Sequence, residues 1–425
     1  MENIVKTYPC GLRVIVRNMP NFSSSCVSVF VAAGSRDEEE NEFGISHFCE
    51  HMLFKGTETR TSEQISGTLS SLGVEYNAYT STSATCYHTR GLKTNLDTCC
   101  DILSDMYFNL KIDEADFKRE GEVIVQEIAM HEDNPRSALG ELSALTFFDN
   151  TPYGHSIAGT VESVRGFSPK DIYNYIKKHY IAKKTIVAFA GDVTTEQADK
   201  MVKKYFLPGF SGGKTNPKVL TINNEHVLPP QQFVTKTKDI EQHNVAVLFP
   251  VRNNRHPDKY VLTFINEIFS SDMASRLFSS VRDKLGLVYT ISGGITLTHI
   301  GGYYYIYFSC TPKNTEKVLH TIKQELDRLK KDGVTQDEVA KVKNMKLADR
   351  LFELENVEAT NQRNAAQLAE FNEIETAEEY LAKINKVTRK DVARVVDNYL
   401  KFDNAIVAIV GNDITLEPFK LLVNN

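Results

Sequence analysis

"SPKDIYNYIKKHYIAKKTIVAFAGDVT", residues 168–194, is answered 220 positions later by "TRKDVARVVDNYLKFDNAIVAIVGNDI", residues 388–414. At that offset Lys170 falls on Lys390, Asp171 on Asp391, and "IVAFAGD" on "IVAIVGN". Each copy reads as a Ser or Thr N-cap, an amphipathic helix, a short loop and a buried strand that stops at glycine. The same offset roughly pairs "SSCVSVFVAAGSRDE" with "QHNVAVLFPVRNNRH", each a strand leading into a helix. Two homologous halves are implied. The joint is expected in "LPGFSGGKTNPK", residues 207–218, where Gly, Pro and Lys cluster without periodicity. The domains expected are then 1–206 and 219–425.

Within the first half, strands are expected at Leu12–Val16 and Cys26–Ala32, followed by a helix carrying His47 and His51 and another in "SEQISGTLSSLG". The alternating run "GVEYNAYTSTSATCYHTRGL" reads as a hairpin turning near Ser81–Ala84. Long helices follow at about Asn95–Phe108 and Asp113–His131. Strands and helices grouped in this way, without strict alternation, imply an α+β fold. Each half is expected to be a sandwich of helices on a mixed, largely antiparallel sheet.

Composition narrows the function classes. The 425 residues exceed what one ordinary core holds. A net charge of −6, with no basic tail or stripe, argues against a nucleic-acid partner and leaves cationic peptides compatible. Seven cysteines, odd in number and irregularly spaced, read as reduced thiols in a cytosol-like compartment. No apolar signal region opens the chain and no stretch reaches the ~20 apolar residues of a membrane span, so a soluble, unexported chain is expected.

The chemistry is carried by "GISHFCEHMLFKGT", residues 44–57. On a helix His47 and His51, four apart, share a face and can present ring nitrogens to one ion, while Glu50 projects from the adjoining edge. With 11 His among 425 residues, His-x-x-Glu-His arises by chance only about 0.02 times per chain. A catalytic zinc takes three protein ligands and keeps a position for water, and a carboxylate beside that water can serve as base. Cys49, between the histidines, is expected to point into packing. In "DEADFKREGEVIVQEIAMHED", Glu120 and Glu127 are seven apart and share a helix face.

"HFCEH", with a glutamate 76 residues after its second histidine and a partner glutamate seven before that, resembles the pitrilysin or insulinase-like inverzincin metallopeptidases. The resemblance is to the two-domain branch that includes the mitochondrial processing peptidase catalytic subunit and its bacterial relatives. It extends along nearly the whole chain, with "YNAYTS", "QEIAMHEDNP", "GTVESV" and "VAFAGDV" in family order. It implies that His47, His51 and Glu127 hold one Zn2+ per chain, that Glu50 is the general base, and that Glu120 orients the site. It further implies that extended peptide adds to the strand bearing Asn77, Ala78 and Tyr79, with Phe54 walling a pocket. Arg282 and Tyr289, in "RLFSSVRDKLGLVYTISGG", would reach the substrate carbonyl from the second half, the two halves facing each other as a clamshell. At the 220 offset the motif falls on "EIFSS", so the second half is expected to bind no metal.

One departure concerns specificity. Where the mitochondrial enzymes carry acidic residues that receive an arginine, this chain has Ser137 and Glu141, with Glu132 and Asp133 nearby. Two readings follow from the resemblance: a zinc endopeptidase for unfolded peptides, of processing or leader-peptide type, or a non-catalytic binding or scaffold subunit of a heteromeric peptidase. Family chains of this length work as homodimers or as heterodimers with a related chain. A bacterial-type cytoplasm is the expected compartment, with a mitochondrial-type compartment left open.

Overall fold

A computed structural model describes residues 2–210 and 232–415; residues 211–218 of the expected joint lie outside that range. Two compact units are present. The first comprises 2–129, 155–210 and 350–375, and the second 130–154, 232–349 and 376–415.

The first unit is built on six strands: β1 (Asn3–Thr7), β2 (Arg13–Asn18), β3 (Ser24–Val31), β4 (Glu75–Thr80), β5 (Thr85–Leu92) and β6 (Thr185–Gly191). They lie in the order β1-β2-β6-β3-β5-β4, all neighbours antiparallel except β2 and β6. The hairpin turn falls at 81–84, as the alternation implies, with the Ser81 N–H donating to the Ala84 carbonyl at 2.8 Å. The second unit has β7 (Gln232–Thr237), β8 (His243–Val251), β9 (Thr290–Leu297), β10 (Gly302–Cys310) and β11 (Ile406–Gly411), ordered β7-β11-β8-β10-β9, with only β7 and β11 parallel. The repeat is real in three dimensions: helix Pro169–His179 answers helix Arg389–Tyr399 at the same offset, and β6 answers β11.

The strands at the centre of each sheet are apolar on both faces, because alternate residues feed two cores. In the first unit Val14, Val27, Val29, Val187 and Phe189 face one core, which also takes in Ile45, Phe48, Leu103 and Ile172 from neighbouring helices. Ile15, Phe30, Cys86, Ile186 and Ala188 face the other, under Ala365 and Leu368. That cover comes from helix Val357–Phe371, far along the chain. Its buried Asn361 donates to the Ala188 carbonyl at 2.8 Å and accepts from Ser28 Oγ at 2.5 Å. The second unit is covered reciprocally, with Leu139 and Phe147 of helix Pro135–Phe147 on Ala246, Leu248, Ile406 and Ala408.

The packing units therefore differ from the contiguous halves 1–206 and 219–425. Helix Pro135–Phe147 groups with the second unit and helix Val357–Phe371 with the first. A sheet apolar on both faces needs a cover on each side, and each half supplies the cover for the other unit.

Candidate metal centre

The helix bearing the histidines runs Ile45–Leu53 and starts at Gly44, whose φ of 96° is left-handed. A side chain there would meet the Ala158 carbonyl oxygen at 2.6 Å, so only glycine serves. The first turn is closed by a buried carboxylate: Glu38 accepts from the Gly44 and Ser46 N–H groups, both at 2.8 Å. An anion at this end also opposes the helix dipole. Glu38 accepts in addition from His155 Nε2 at 3.2 Å, and His155 stacks on Phe43. Ile45, Phe48, Cys49, Met52 and Leu53 are buried, which leaves His47, Glu50 and His51 on the open side. Cys49 packs as expected, and burial pushes its thiol pKa well up.

Helix Glu114–Asp133 crosses this face. It packs against Phe48 at Gly121, and Phe48 also stacks on Phe117 at 4.7 Å. That contact fixes the glutamates. Glu127 Oε2 lies 3.7 Å from His47 Nε2 and 3.4 Å from His51 Nε2, and one donor atom from each residue lies within 4.8 Å of the others. Ligand atoms about 2.0–2.1 Å from a tetrahedral ion sit roughly 3.3–3.4 Å apart, so the Glu127 oxygen stands at near-ligand spacing from both imidazole nitrogens, and the donor types are those of a zinc site. Among the described residues this is the single such donor group, and the second unit has none.

Glu120 is almost fully buried behind the donor set. It accepts from His51 Nδ1 at 3.1 Å and pairs with Lys55 Nζ at 2.6 Å. Burial alone raises a carboxyl pKa, yet these two hydrogen bonds outweigh it and hold Glu120 low. His51 shows the converse. Burial lowers its pKa, while the Glu120 hydrogen bond and the charges of Glu127 and Glu50 raise it further. The Nδ1–H is committed to Glu120, which turns the Nε2 lone pair toward the other donors.

Glu50 does not join the donor set. Its carboxylate accepts from Thr80 Oγ1 at 2.6 Å, and its pKa is raised, first by burial and also by the charge of Glu127, against the Thr80 bond and His51. Thr80 ends β4, which is the edge strand of its sheet and pairs, among the described residues, with β5 alone. Ala78 and Tyr76 pack on the same core as the histidine helix, whereas Tyr79 faces the opposite one. Asn77 is exposed, and its Oδ1 accepts from the Ala78 N–H. Phe54 lies just beyond the histidine helix, about 6 Å ring to ring from Tyr76 and Tyr87.

Arg282 and Tyr289 belong to the second unit. Arg282 is exposed and lies over the Phe278 ring at 4.7 Å, and Tyr289 is 77% exposed. Glu132 is already engaged by Lys236 at 2.5 Å and Lys238 at 3.6 Å, so its charge is balanced within the protein.

Three groups in the site carry no strong signal in the chain. Thr80 shares the β4 face of Ala78 by the period of two and was legible to that extent. Lys55 and Glu38 are not, because the turn after a helix and the loop before one have no period.

A family model described as insulinase (peptidase family M16) matches residues 13–161, and one described as the peptidase M16 inactive domain matches residues 166–346. A protein named an uncharacterized zinc protease from Streptomyces coelicolor is 30% identical over 398 residues, 93% of this chain and 86% of that one. The chain belongs to the insulinase (M16) peptidase family. Another M16 relative, also named an uncharacterized zinc protease, from Bacillus subtilis, is 28% identical over 96% of this chain and 98% of its own. The M16 fold is shared with a protease from Helicobacter pylori (TM-score 0.90, 22% identity, 96% of this chain and 99% of that one). A peptidase M16 inactive domain from Pseudomonas fluorescens has TM-score 0.88 at 17% identity, with 98% and 99% covered. Within this M16 chain the donor group lies in the segment matching the insulinase model, and the segment matching the inactive-domain model holds none among the described residues.

Proposed function

We propose that this chain is a zinc-dependent endopeptidase acting on unfolded peptides, of processing or leader-peptide type. One observation carries the reading: a His47, His51 and Glu127 donor set with a separate carboxylate, Glu50, held beside it by Thr80. A zinc ion held by those three residues supplies a Lewis acid and makes water acidic enough to attack near neutral pH. Glu50 takes the proton of the attacking water and delivers it to the leaving amine. Glu120 keeps His51 in its Nδ1–H form, with Lys55 holding Glu120 in turn. Extended substrate adds to the free edge of β4, where Asn77, Ala78 and Tyr79 line the backbone and Phe54 bounds a side-chain pocket. The resemblance assigns Arg282 and Tyr289 as donors to the developing oxyanion.

Glu132 is balanced by two lysines, so it is not assigned to receive an arginine near the cleavage site. The seven free cysteines suit a reducing, cytoplasm-like compartment, and no helix among the described residues is long and apolar enough to cross a membrane. The working form is a homodimer or a heterodimer with a related chain. What supports an enzyme over a non-catalytic binding subunit is a donor set and base complete in one chain. Glu50→Gln tests it: the variant retains about one zinc per chain by elemental analysis and cleaves an unstructured peptide about 10²–10⁴-fold more slowly. Equal cleavage by variant and parent would overturn the role of Glu50, and a parent chain that binds zinc without cleaving would favour the binding subunit.

A further inference from the structure

A cavity lies wholly within the second unit, between helix Pro135–Phe147 and the sheet face formed by β8, β9 and β10. It holds about 260 Å³ and is lined by Arg136, Leu139, Ser143 and the β10 tyrosines Tyr303, Tyr305 and Tyr307, with Leu248 and Thr296. Tyr303, Tyr305 and Tyr307 alternate along that strand, so all three rings fall on this face. Tyr305 lies across Gly294 of the neighbouring strand, where a side chain would come within 2.5 Å of the tyrosine oxygen. The glycine thus makes room for an aromatic wall.

Tyr307 donates to Asn244 Oδ1 at 2.9 Å and Tyr303 is hydrogen-bonded to Thr296, whereas Ser143 Oγ and the Arg136 guanidinium have no hydrogen-bond or ion-pair partner among the described residues. Ser143 is 3% exposed, and its Oγ has no hydrogen-bond partner. An unpaired buried hydroxyl costs stability, which points to a ligand atom that completes it. At the other end Arg136 lies over the Tyr307 ring at 4.6 Å and has no ion-pair partner among the described residues. Ser143 is two turns along the helix from Arg136, roughly 10 Å. The volume is at the low end for ligand sites, about 300–1,000 Å³, and suits one amino-acid-sized group.

We propose that this cavity binds a carboxylate carrying an aromatic ring with a polar hydrogen, as in a tryptophan- or tyrosine-type acid. The carboxylate pairs with Arg136, the ring lies among the tyrosines, and its N–H or O–H donates to Ser143 Oγ. Such a group is presented either by a peptide's C-terminal residue or by a free small acid. None of the metal donors lines this cavity, and binding there requires no turnover.

The chain contains no tryptophan, so N-acetyltryptophan reports its own binding to the full-length protein by fluorescence. Saturable binding is expected, with N-acetyltryptophanamide, which lacks the carboxylate, bound roughly tenfold or more weakly. Arg136→Met should remove the preference for acid over amide, and Ser143→Leu, which fills the cavity, should remove both. Arg136 is exposed, so that variant stays decisive if Ser143→Leu fails to fold. Tighter binding of the tripeptide Gly-Gly-Trp than of N-acetyltryptophan assigns the site to chain ends, and weaker binding to free acids. Absence of saturable binding, equal binding of acid and amide by the parent chain, or undiminished binding by a folded Ser143→Leu chain overturns the proposal. None of these results bears on cleavage, so this site and the peptidase reading stand or fall separately.

Discussion

The residues around the donor set divide into those that hold a metal and those that hold the holders, and substitution separates them. Glu127→Gln replaces a charged oxygen donor by a neutral amide and should strip zinc on dialysis. Undiminished zinc would place the third ligand elsewhere, with Glu120 the next choice. Glu120→Gln leaves all three donors in place but removes the carboxylate that fixes His51, so zinc affinity should fall about 10–100-fold in a chelator competition. An unchanged affinity would mean that Lys55 and packing orient the ring without it. The sequence shows the donors because His47, His51 and Glu127 obey helical spacing. It is silent on Lys55 and Glu38, which reach the site from irregular backbone.

At the scale of elements, the histidine helix and helix Pro169–His179 each end on a buried charge problem. Glu38→Ala leaves two helix N–H groups and His155 without their acceptor. A loss of roughly 2–4 kcal/mol in denaturant unfolding is expected, and a loss under about 0.5 kcal/mol would show that water replaces the cap. His179 sits at a helix C-terminus, where the dipole favours a cation. Burial first, then Lys184 and Lys178, win instead and bring its pKa from 6.5 to about 3. Its Nδ1 accepts from Lys184 at 2.9 Å, which requires the neutral ring. Between these two pKa values the unfolded chain binds more protons than the folded one, so His179 favours the folded state fully above pH 6.5. That contribution falls as pH drops toward 3, by at most about 1.4 kcal/mol per pH unit. His179→Asn, which keeps an acceptor for Lys184, should lose less stability than the parent between pH 6.5 and pH 4. Parallel curves for the two proteins would show that His179 does not govern this range.

For the whole molecule, the exchanged helices decide what can be cut. Residues 1–206 lack helix Val357–Phe371, so Ile15, Phe30, Ile186 and Ala188 lose their cover, and Leu139 and Phe147 lose the sheet beneath them. Each exposed group would form a contiguous apolar patch, an aggregation site. The fragment should therefore precipitate or bind a hydrophobic dye, and fusion of residues 350–375 to its end should reduce both. A monomeric 1–206 fragment with a cooperative melt would show that the helix is dispensable.

The amino-acid sequence by itself determined the repeat, the α+β class, the hairpin, and the spacing of His47, Glu50, His51, Glu120 and Glu127. These are local properties, written in periods of two and of 3.6 residues. Tertiary structure alone decided which helix covers which sheet, that Thr80 holds Glu50, that Glu38 closes the histidine helix, and that Arg136 and Ser143 border one cavity. The physical reason is the same in each case. An apolar face specifies that it be covered, and a buried polar atom that it be paired, but neither names a partner that lies tens or hundreds of residues away.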